Sequence, residues 1–393
     1  MPDSDSHSEP TAPTASNLRE VALLSLRLGA TTFGGPAAHI AVLQDEIVQK
    51  RHWLDQQAFT HMMGLTNLLP GPNSTEMVMH AGYARAGYRG LLAAGFGFIL
   101  PGVSLSLLLA MAYREWGTSQ IGLHFLVGVQ AAVIAVLMQA VWRLLAGTER
   151  EAIAIAGIGV IAVLAAIGVP ELPLLFAGGA VLGSIRILRR QRQSLVVALP
   201  LALLFAPLAT SVAVTPYSGA RLFLAFLKIG ALLYGSGYVL VSLLRGTFVH
   251  DLGWLTEQQV LDAVAAGQMT PGPLFSTATF IGYDVGGYSG AAIATFGIFL
   301  PAFLFVALAA PLLPRIAKRA GLMDILHGVS LAAIGLLLGV TFVLACSALE
   351  SWEAFLIAVL AAVALLVLRA NSALVIVLGG LLAVGLHVIT TFD

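Results

Sequence analysis

The chain has 393 residues, of which 58% are hydrophobic, and its mean hydropathy is +0.91. The 20 basic and 20 acidic residues make up only 10% of the chain, whereas a soluble domain carries about 25% charged residues. Because so few charges cannot form a water-facing surface, this composition excludes a soluble enzyme, a nucleic-acid-binding protein and a secreted disulfide scaffold.

The first predicted element is an N-terminal tail, residues 1–16, made of Pro, Ser, Thr, Ala and acidic residues. This composition is typical of disorder, and the tail lacks the basic and apolar regions of a cleavable signal. We therefore expect a disordered tail that lies in the cytoplasm.

Apolar segments follow one another from the tail to the end of the chain, and about 20 such residues span a bilayer as a helix. Four of these segments are interrupted by a charged residue or by Pro-Gly-Pro, namely 18–48, 56–86, 222–244 and 258–284. Nine segments hold no Asp, Glu, Lys or Arg: 90–113, 116–142, 152–170, 172–185, 195–220, 285–314, 325–349, 354–368 and 370–392. Together they predict an all-α polytopic membrane protein with about 13 transmembrane segments.

The second part of the chain repeats the first. At an offset of 201 residues, Arg27 aligns with Lys228, and Pro70-Gly71-Pro72 aligns with Pro271-Gly272-Pro273. The segment 193–216 has no counterpart, and one extra crossing there turns the second half upside down. Inverted repeats are typical of secondary transporters, whose site lies at the repeat interface. The predicted division is a tail at 1–16, a first membrane repeat at 17–192, a linking transmembrane helix at 193–216 and a second, inverted repeat at 217–393.

The basic residues predict the orientation, because cytoplasmic loops are enriched in Lys and Arg. With the tail inside and every segment crossing once, most basic residues fall at cytoplasmic ends. A Pro-broken segment can also re-enter without crossing, so the exact number of crossings is left open. We therefore expect a multi-pass protein of the inner (plasma) membrane with a cytoplasmic N-terminus. Arg85 and Arg89 then either line a cytoplasmic entrance for the substrate or only contribute to the excess of basic residues on the cytoplasmic side. The basic residues expected at outer ends are Lys50, Arg51, Arg114 and Arg221.

Each half contains a helix that is broken by Pro-Gly-Pro, because proline removes a hydrogen-bond donor and clashes with the preceding turn. We expect Asn73 to cap the restarted helix, with Glu76 either as its capping-box partner or as a proton-exchanging group. Free N–H groups at such helix starts attract anions, and a kinked packing helix is the alternative. The substrate-binding residues predicted at the two breaks are Gly71, Asn73, Ser74 and Thr75 in the first half and Gly272, Ser276 and Thr277 in the second.

Two cations, Arg27 and Lys228, occupy equivalent positions in apolar surroundings. An intramembrane charge is costly and is a functional candidate, and this pair suits an oxyanion. We expect both to bind the substrate, so that replacing Arg27 by Ala abolishes transport; snorkelling from an interfacial helix is the alternative. Gly34 and Gly35 are predicted to be unwound backbone beside the ligand or to allow a tight helix crossing.

Motifs of catalysis are absent from the sequence: it holds no H-E-x-x-H, Walker A or nucleophile elbow. The single cysteine, Cys346, excludes an internal disulfide and a multi-cysteine metal site. We therefore expect no catalytic residues, no metal and no cofactor. A membrane-embedded enzyme is the alternative from a different class, and it would need clustered acids or histidines.

Several motifs resemble the chromate ion transporter (CHR) family, in its long-chain two-domain type. They are Phe33-Gly34-Gly35-Pro36, Leu68-Leu69-Pro70-Gly71-Pro72-Asn73-Ser74-Thr75, Gly82-Tyr83 and Phe98-Ile99-Leu100-Pro101. In the second half, Tyr234 and Gly237 stand where the motif has Phe and Pro. The resemblance implies export of chromate from the cytoplasm and hence chromate resistance. The partners expected are chromate or sulfate and the lipid bilayer, without nucleic acid, and a homodimer is left open.

Export of a dianion is favoured by the membrane potential. At roughly 150 mV, inside negative, the dianion gains about 7 kcal/mol on leaving the cell, which sustains a gradient of about 10⁵-fold. Alternating access can therefore be driven by the potential, by a coupled ion or by both. A carrier of sulfate or another tetrahedral oxyanion is the close alternative, because sulfate and chromate share charge and shape.

Overall fold

The computed structural model describes residues 15–33, 36–66, 69–148, 151–191, 216–234, 237–309 and 320–392. Within these ranges the chain forms fourteen α-helices and contains no β-strand. The helices are α1 (Ala15–Thr31), α2 (Pro36–Gln44), α3 (Gln56–Thr66), α4 (Asn73–Trp116), α5 (Gln120–Ala146), α6 (Ala152–Ala166), α7 (Glu171–Gln191), α8 (Gly219–Leu232), α9 (Val239–Leu244), α10 (Glu257–Met269), α11 (Thr277–Ala309), α12 (Ala320–Ala348), α13 (Trp352–Leu366) and α14 (Ser372–Phe392).

Short irregular helical segments extend some of these elements. A π-helical segment continues α2 as Asp45–Lys50, and another continues α9 as Arg245–Asp251. A 3₁₀ turn, Leu274–Ser276, comes directly before α11. The π-helical segments lie at equivalent places in the two halves, so the repeat extends to irregular backbone.

Local chemistry explains where several of the helices start. The Thr256 hydroxyl accepts the Gln259 N–H at 3.2 Å, and the Gln259 side chain accepts the Thr256 N–H at 2.9 Å. This reciprocal capping box satisfies two otherwise free donors at the start of α10. Ser119 and Ser351 accept backbone N–H groups in the same way at the starts of α5 and α13.

The long helices α4 and α11 are each folded back on themselves at a glycine. Gly87 has φ 61° and ψ −152°, and Gly287 has φ 62° and ψ −152°. This backbone region is open essentially only to glycine. The reversal brings Gly82 against Gly90 and Gly282 against Gly290. Each helix therefore has a short arm, 73–86 or 277–286, that runs antiparallel to a long arm, 88–116 or 288–309.

The helices before each long arm form two hairpins. The first hairpin consists of α1 and of α2 with its π-helical continuation. Glu20 of α1 pairs at 2.9 Å with Arg51, which directly follows the continuation, and His39 Nε2 of α2 lies 3.1 Å from the carbonyl of Thr32, which directly follows α1. In α3 and the short arm of α4, the Thr66 hydroxyl contacts Met77 Sδ at 3.3 Å. Such partners lie at matching distances from the turn between the two helices, so the helices of each hairpin are antiparallel.

The second half contains the same pair of hairpins. Between α8 and the π-helical continuation of α9, the rings of Phe226 and Phe248 are 4.9 Å apart. Between the end of α10 and the start of α11, the hydroxyls of Thr270 and Ser276 share a hydrogen bond of 3.0 Å. All four hairpins therefore re-enter from the side on which they begin.

This geometry corrects the expectation that segments 18–48 and 222–244 each cross once. For the Pro-broken segments 56–86 and 258–284, where crossing and re-entry are both open from the sequence, it favours re-entry. The Arg51 guanidinium was expected on the opposite side from Glu20 and Arg85, but Glu20 pairs with both, at 2.9 Å and 3.1 Å. The helices on either side of each break have 6 to 17 residues, fewer than the roughly 20 that usually span a bilayer, so each break acts as a turn.

The expected count of about 13 crossings is not confirmed. In the described part of the chain, five helices are long and apolar enough to span a membrane: Asn73–Trp116, Gln120–Ala146, Leu274–Leu308, Ile325–Ala348 and Ser372–Ile389. Most of the predicted tail and almost all of the predicted linking helix lie outside the described residues, whereas Ala15 and Ser16 of the tail begin α1.

The helices pack in two layers, each built from both halves. One layer holds the hairpins and long arms, α1–α4 and α8–α11, and we call it the hairpin layer. The other holds α5–α7 and α12–α14, and we call it the scaffold layer. Within the scaffold layer, α6 and α7 pack on α12, whereas α13 and α14 pack on α5. Each layer is therefore completed only by helices from both halves.

Candidate functional site

Each Pro-Gly-Pro turn is hydrogen-bonded to the opposite half of the hairpin layer. The Gly71 N–H donates to the Leu233 carbonyl at 2.7 Å, and the Gly272 N–H donates to the Thr32 carbonyl at 3.1 Å. These two bonds are equivalent under the 201-residue offset and exchange partners between the halves. We call residues 69–76 the first tip and residues 270–277 the second tip.

The long arms of α4 and α11 pass close to the tips of the opposite half. A Cβ on Gly102 would lie 2.6 Å from the Pro271 carbonyl oxygen. A Cβ on Gly71 would lie 3.8 Å from the Ala302 side chain. Each tip is therefore enclosed by the other half, which is where an inverted-repeat transporter places its substrate.

The start of α4 differs from the expected capping arrangement. The N-cap residue is Pro72, whose carbonyl accepts the Glu76 N–H at 3.1 Å, so Asn73 is the first helical residue. Among the described residues, neither carboxyl oxygen of Glu76 has a hydrogen-bond partner. The expectation that Asn73 and Glu76 form a capping box is therefore wrong, because the helix begins one residue earlier.

Unsatisfied polar groups are concentrated just inside the first tip. Ser74, Thr75, Glu76 and His80 are all buried. The Thr75 hydroxyl, both Glu76 carboxyl oxygens and His80 Nε2 have no hydrogen-bond partner within the described ranges. Buried polar groups without partners are rare and point to a water, an ion or a ligand.

The second tip is polar as well, but its groups are engaged. Ser276 and Thr277 are fully buried. The Ser276 hydroxyl bonds to Thr270, and the Ser106 hydroxyl from the long arm of α4 donates to the Ser276 carbonyl at 2.7 Å. The Thr277 hydroxyl donates to the Leu274 carbonyl at 2.7 Å. Open hydrogen-bonding capacity is thus concentrated at the first tip.

The two predicted cations lie elsewhere. Arg27 is 63% exposed and faces Glu46 at 3.8 Å, and the equivalent Lys228 is exposed as well. Both lie on the outward faces of α1 and α8, on which Leu26 and Leu224 are also exposed. The structure therefore does not bring these cations to the tips, and this position fits the snorkelling alternative.

The remaining predicted residues lie on the first-half side of the hairpin layer or outside the described ranges. Arg85 lies at the base of the first hairpins, 3.1 Å from Glu20 and with its guanidinium 5.6 Å from the Trp53 ring centre. Arg89 is exposed just beyond the Gly87 reversal. Gly34 and Gly35 lie outside the described residues.

Two buried polar clusters were missed by the sequence analysis. Asp262 in α10 accepts hydrogen bonds from Gln130 at 2.8 Å and from Tyr113 at 3.0 Å. An acid inside the apolar stretch 260–266 was a visible signal for it. Its two partners come from α5 and the long arm of α4 and could not be read from the sequence.

The second missed cluster joins the two layers. The Arg245 guanidinium is buried between Glu257 of α10 at 2.7 Å and Glu171 of α7 at 3.3 Å. In the first half the equivalent pair is neutral, since Gln44 donates to Gln56 at 2.9 Å. The equivalent residues therefore differ in charge between the halves, and the contact with Glu171 of the scaffold layer is made by Arg245 of the second half.

Comparison with known proteins places both halves in one family. A family described as "Chromate transporter" matches residues 19–184 and 220–384. The chain is 31% identical over 374 residues to a "Probable chromate transport protein" of Synechococcus elongatus, covering 92% of each chain. It is 34% identical over 336 residues to a "Chromate transport protein" of Pseudomonas aeruginosa, covering 81% of this chain and 79% of the other. A "Chromate transport protein" of Cupriavidus metallidurans is 31% identical over 381 residues, with 95% and 93% covered.

No solved structure matches the chain at a significant level. The two matched ranges coincide with the two halves of the fold, and each contains one Pro-Gly-Pro tip.

Proposed function

The chain belongs to the chromate transporter family, and from this premise we propose that it exports chromate from the cytoplasm by alternating access. The observation that supports the site is that each tip bonds to the opposite half, Gly71 to the Leu233 carbonyl and Gly272 to the Thr32 carbonyl. Transport across a membrane requires no covalent step, and none is proposed.

The first tip offers the groups that an oxyanion needs. The helix start at 73–75 presents backbone N–H groups, and buried hydroxyls lie at Ser74 and Thr75. Helix starts favour anions through these donors and through the helix dipole. We place chromate against Gly71, Asn73, Ser74 and Thr75, with Gly272, Ser276 and Thr277 closing the site from the second half. Arg27 and Lys228 are not placed among the contacts.

The charge distribution supports a cytoplasmic N-terminus in the plasma membrane. With re-entrant hairpins, Lys50 and Arg51 join Arg85 on the side of the N-terminus, and Arg245 moves to the opposite side. Arg114 lies on that opposite side, since its guanidinium is 5.9 Å from the Tyr283 ring centre at the base of the second-half hairpins. The excess of basic residues on the N-terminal side is therefore larger with re-entrant hairpins than it is when every segment crosses once.

The contacts between the two layers support alternating access. In the described residues, α9 and α10 of the second half pack against α5, α7, α12 and α14 of the scaffold layer. Their first-half equivalents, α2 and α3, chiefly contact α1 and α4. We propose that the hairpin layer here is closed on the outer side and open to the cytoplasm. During export the first-half hairpins then close against the scaffold layer and the second-half hairpins open.

The function is tested with inverted membrane vesicles, whose interior corresponds to the outside of the cell. Labelled chromate should accumulate in vesicles that contain the protein when an interior-positive potential is imposed, because the dianion then moves with the field. Vesicles without the protein are the control. Equal accumulation in both preparations contradicts chromate transport.

Sulfate is the second candidate substrate, because it has the charge and the shape of chromate, and the backbone donors of a helix start do not distinguish between them. Unlabelled sulfate is added to the same vesicles at increasing concentration. Strong competition with chromate flux, together with flux of labelled sulfate, identifies a general tetrahedral-oxyanion carrier. No competition identifies a carrier selective for chromate.

A further inference from the structure

Among the described residues of the hairpin layer, Glu76 is the one with two buried side-chain oxygens that lack a hydrogen-bond partner. Its side chain is 0% exposed, and its carboxyl lies against the Cα of Gly71 in the first tip. In the part of the chain that the structure describes, neither carboxyl oxygen has a hydrogen-bond partner or an ion-pair partner. The carboxyl therefore points back into the loop from which its own helix starts.

Burial without a partner decides which form of Glu76 this arrangement tolerates. An ionised carboxylate removed from water and left unpaired is strongly disfavoured, whereas the neutral acid keeps an O–H that can donate. A chromate dianion at the same helix start would repel an ionised Glu76 and accept a hydrogen bond from a neutral one. The carboxylate and the dianion are thus alternative negative charges for one anion site.

We propose that Glu76 is a proton-binding site coupled to chromate, so that the first tip binds the anion only together with a proton on Glu76. This inference rests on the proposed function and adds a co-transported ion to it. One negative charge, rather than two, then crosses the membrane with each chromate.

The other titratable groups around the first tip lie further along α4 or on neighbouring elements. His80 lies one turn further along the same helix, His39 of α2 bonds to the Thr32 carbonyl, and Tyr234 lies in the unwound segment before α9. Arg27 on α1 and Lys228 on α8 are exposed, as is His61 on α3. The long arms carry no titratable side chain from 90 to 112 or from 289 to 309.

The second half supports the assignment by contrast. The positions that correspond to Glu76 hold Ser276 and Thr277, which do not titrate and whose hydroxyls are already engaged. Asp262 is also a buried carboxyl, but it accepts bonds from Gln130 and Tyr113. It therefore supplies a matched control for a buried acid outside the tips.

The coupling has a definite sign. Because only the protonated form of Glu76 allows the anion to bind, affinity for chromate is complete at low pH. It falls by about tenfold per pH unit once Glu76 ionises in the empty protein. Glu76→Gln removes this dependence, since the amide keeps a donor and carries no charge.

The experiment compares wild type, Glu76→Gln and Asp262→Asn as full chains in vesicles, with voltage and pH gradient imposed separately. For wild type and Asp262→Asn, a pH gradient should shift the voltage that balances a fixed chromate gradient. For Glu76→Gln a pH gradient should not shift the balancing voltage. Without a pH gradient, the balancing voltage of Glu76→Gln should be half that of wild type, because two negative charges move with each chromate instead of one. Protonation of chromate itself is the same in all three and cancels in the comparison.

The alternatives give different results. An unchanged response to pH in Glu76→Gln overturns the proposal, because the proton then travels on the substrate or on another group. Loss of the response in Asp262→Asn alone overturns it as well. No chromate flux in wild type refutes the proposed function instead. If Glu76→Gln does not fold, proton uptake by purified wild type on chromate addition is measured with a pH indicator, and no uptake overturns the coupling.

Discussion

At the scale of single residues, the tips depend on glycines at which the backbones of the two halves touch. Gly71 has φ 143° and Gly272 has φ 82°, and each donates its N–H across the repeat interface. A Cβ on Gly272 would lie 3.2 Å from the carbonyl oxygens of Gly29 and Phe98. Glycine is needed here for both its backbone freedom and its lack of a side chain.

We expect Gly272→Ala to destabilise the protein by about 1–3 kcal/mol, since it combines a strained φ with a close approach to two carbonyls. Gly64→Ala in α3 is the control, because a Cβ there meets no atom of the described residues within 4 Å. The measurement is the thermal unfolding midpoint in detergent, followed by chromate flux in vesicles. Equal midpoints for the two variants would show that the tip relaxes freely.

The exposed cations lead to a second prediction at this scale. Because Arg27 faces outward and its contact with Glu46 is partly exposed, Arg27→Ala should lower chromate flux by less than about fivefold, as for an ion pair worth about 0–1 kcal/mol. Lys228→Ala should behave likewise. Flux is compared at equal amounts of protein in the membrane. Complete loss of flux with normal insertion would instead support the substrate-binding role that the sequence predicts.

At the scale of elements, the re-entrant hairpins and the reversals at Gly87 and Gly287 determine the architecture. The reversals have nearly the same backbone angles in both halves, and each is followed by a close contact of two small residues. Pro-Gly-Pro marked the breaks in the sequence, but neither periodicity nor composition distinguishes a helix that turns back from one that continues across. That distinction depends on contacts such as Glu20 with Arg51.

We expect Gly87→Ala and Gly287→Ala to destabilise the protein by similar amounts, about 1–3 kcal/mol each. A Cβ at either position meets no atom of the described chain within 4 Å, so the cost comes from the backbone conformation alone. Gly159→Ala in α6 is the control, since it is equally open but helical, and it should be neutral or slightly stabilising. Unfolding midpoints decide, and a neutral effect at Gly87 would contradict the reversal.

At the scale of the whole molecule, two similar halves occupy different surroundings. The second-half hairpin helices α9 and α10 are buried against the scaffold layer, and the Arg245 cluster ties them to α7. The equivalent helix α3 carries exposed polar residues such as Gln57 and Thr60, and α2 exposes Ala41 and Val42. This asymmetry is the structural basis for proposing a state that is open to the cytoplasm.

The asymmetry is tested with single cysteines at equivalent positions, in a background in which the exposed Cys346 is replaced by Ser. Thr60→Cys should react with a membrane-impermeant thiol reagent applied from the cytoplasmic side, because Thr60 is exposed in α3. Leu261→Cys should be protected, because Leu261 is fully buried in α10. Equal labelling of the two, or labelling of Thr60→Cys only from outside, contradicts the cytoplasm-open state.

The sequence alone determined that this is a helical membrane protein of two related halves, with a broken helix in each and a resemblance to chromate transporters. These features follow from local chemistry, namely apolar runs, Pro-Gly-Pro and residues repeated at a constant offset. Only the tertiary structure decided that the broken segments fold back, that Glu76 is buried without a described partner and that Arg27 faces outward. These depend on contacts between residues far apart in the chain, such as Gly71 with Leu233, which no local pattern encodes.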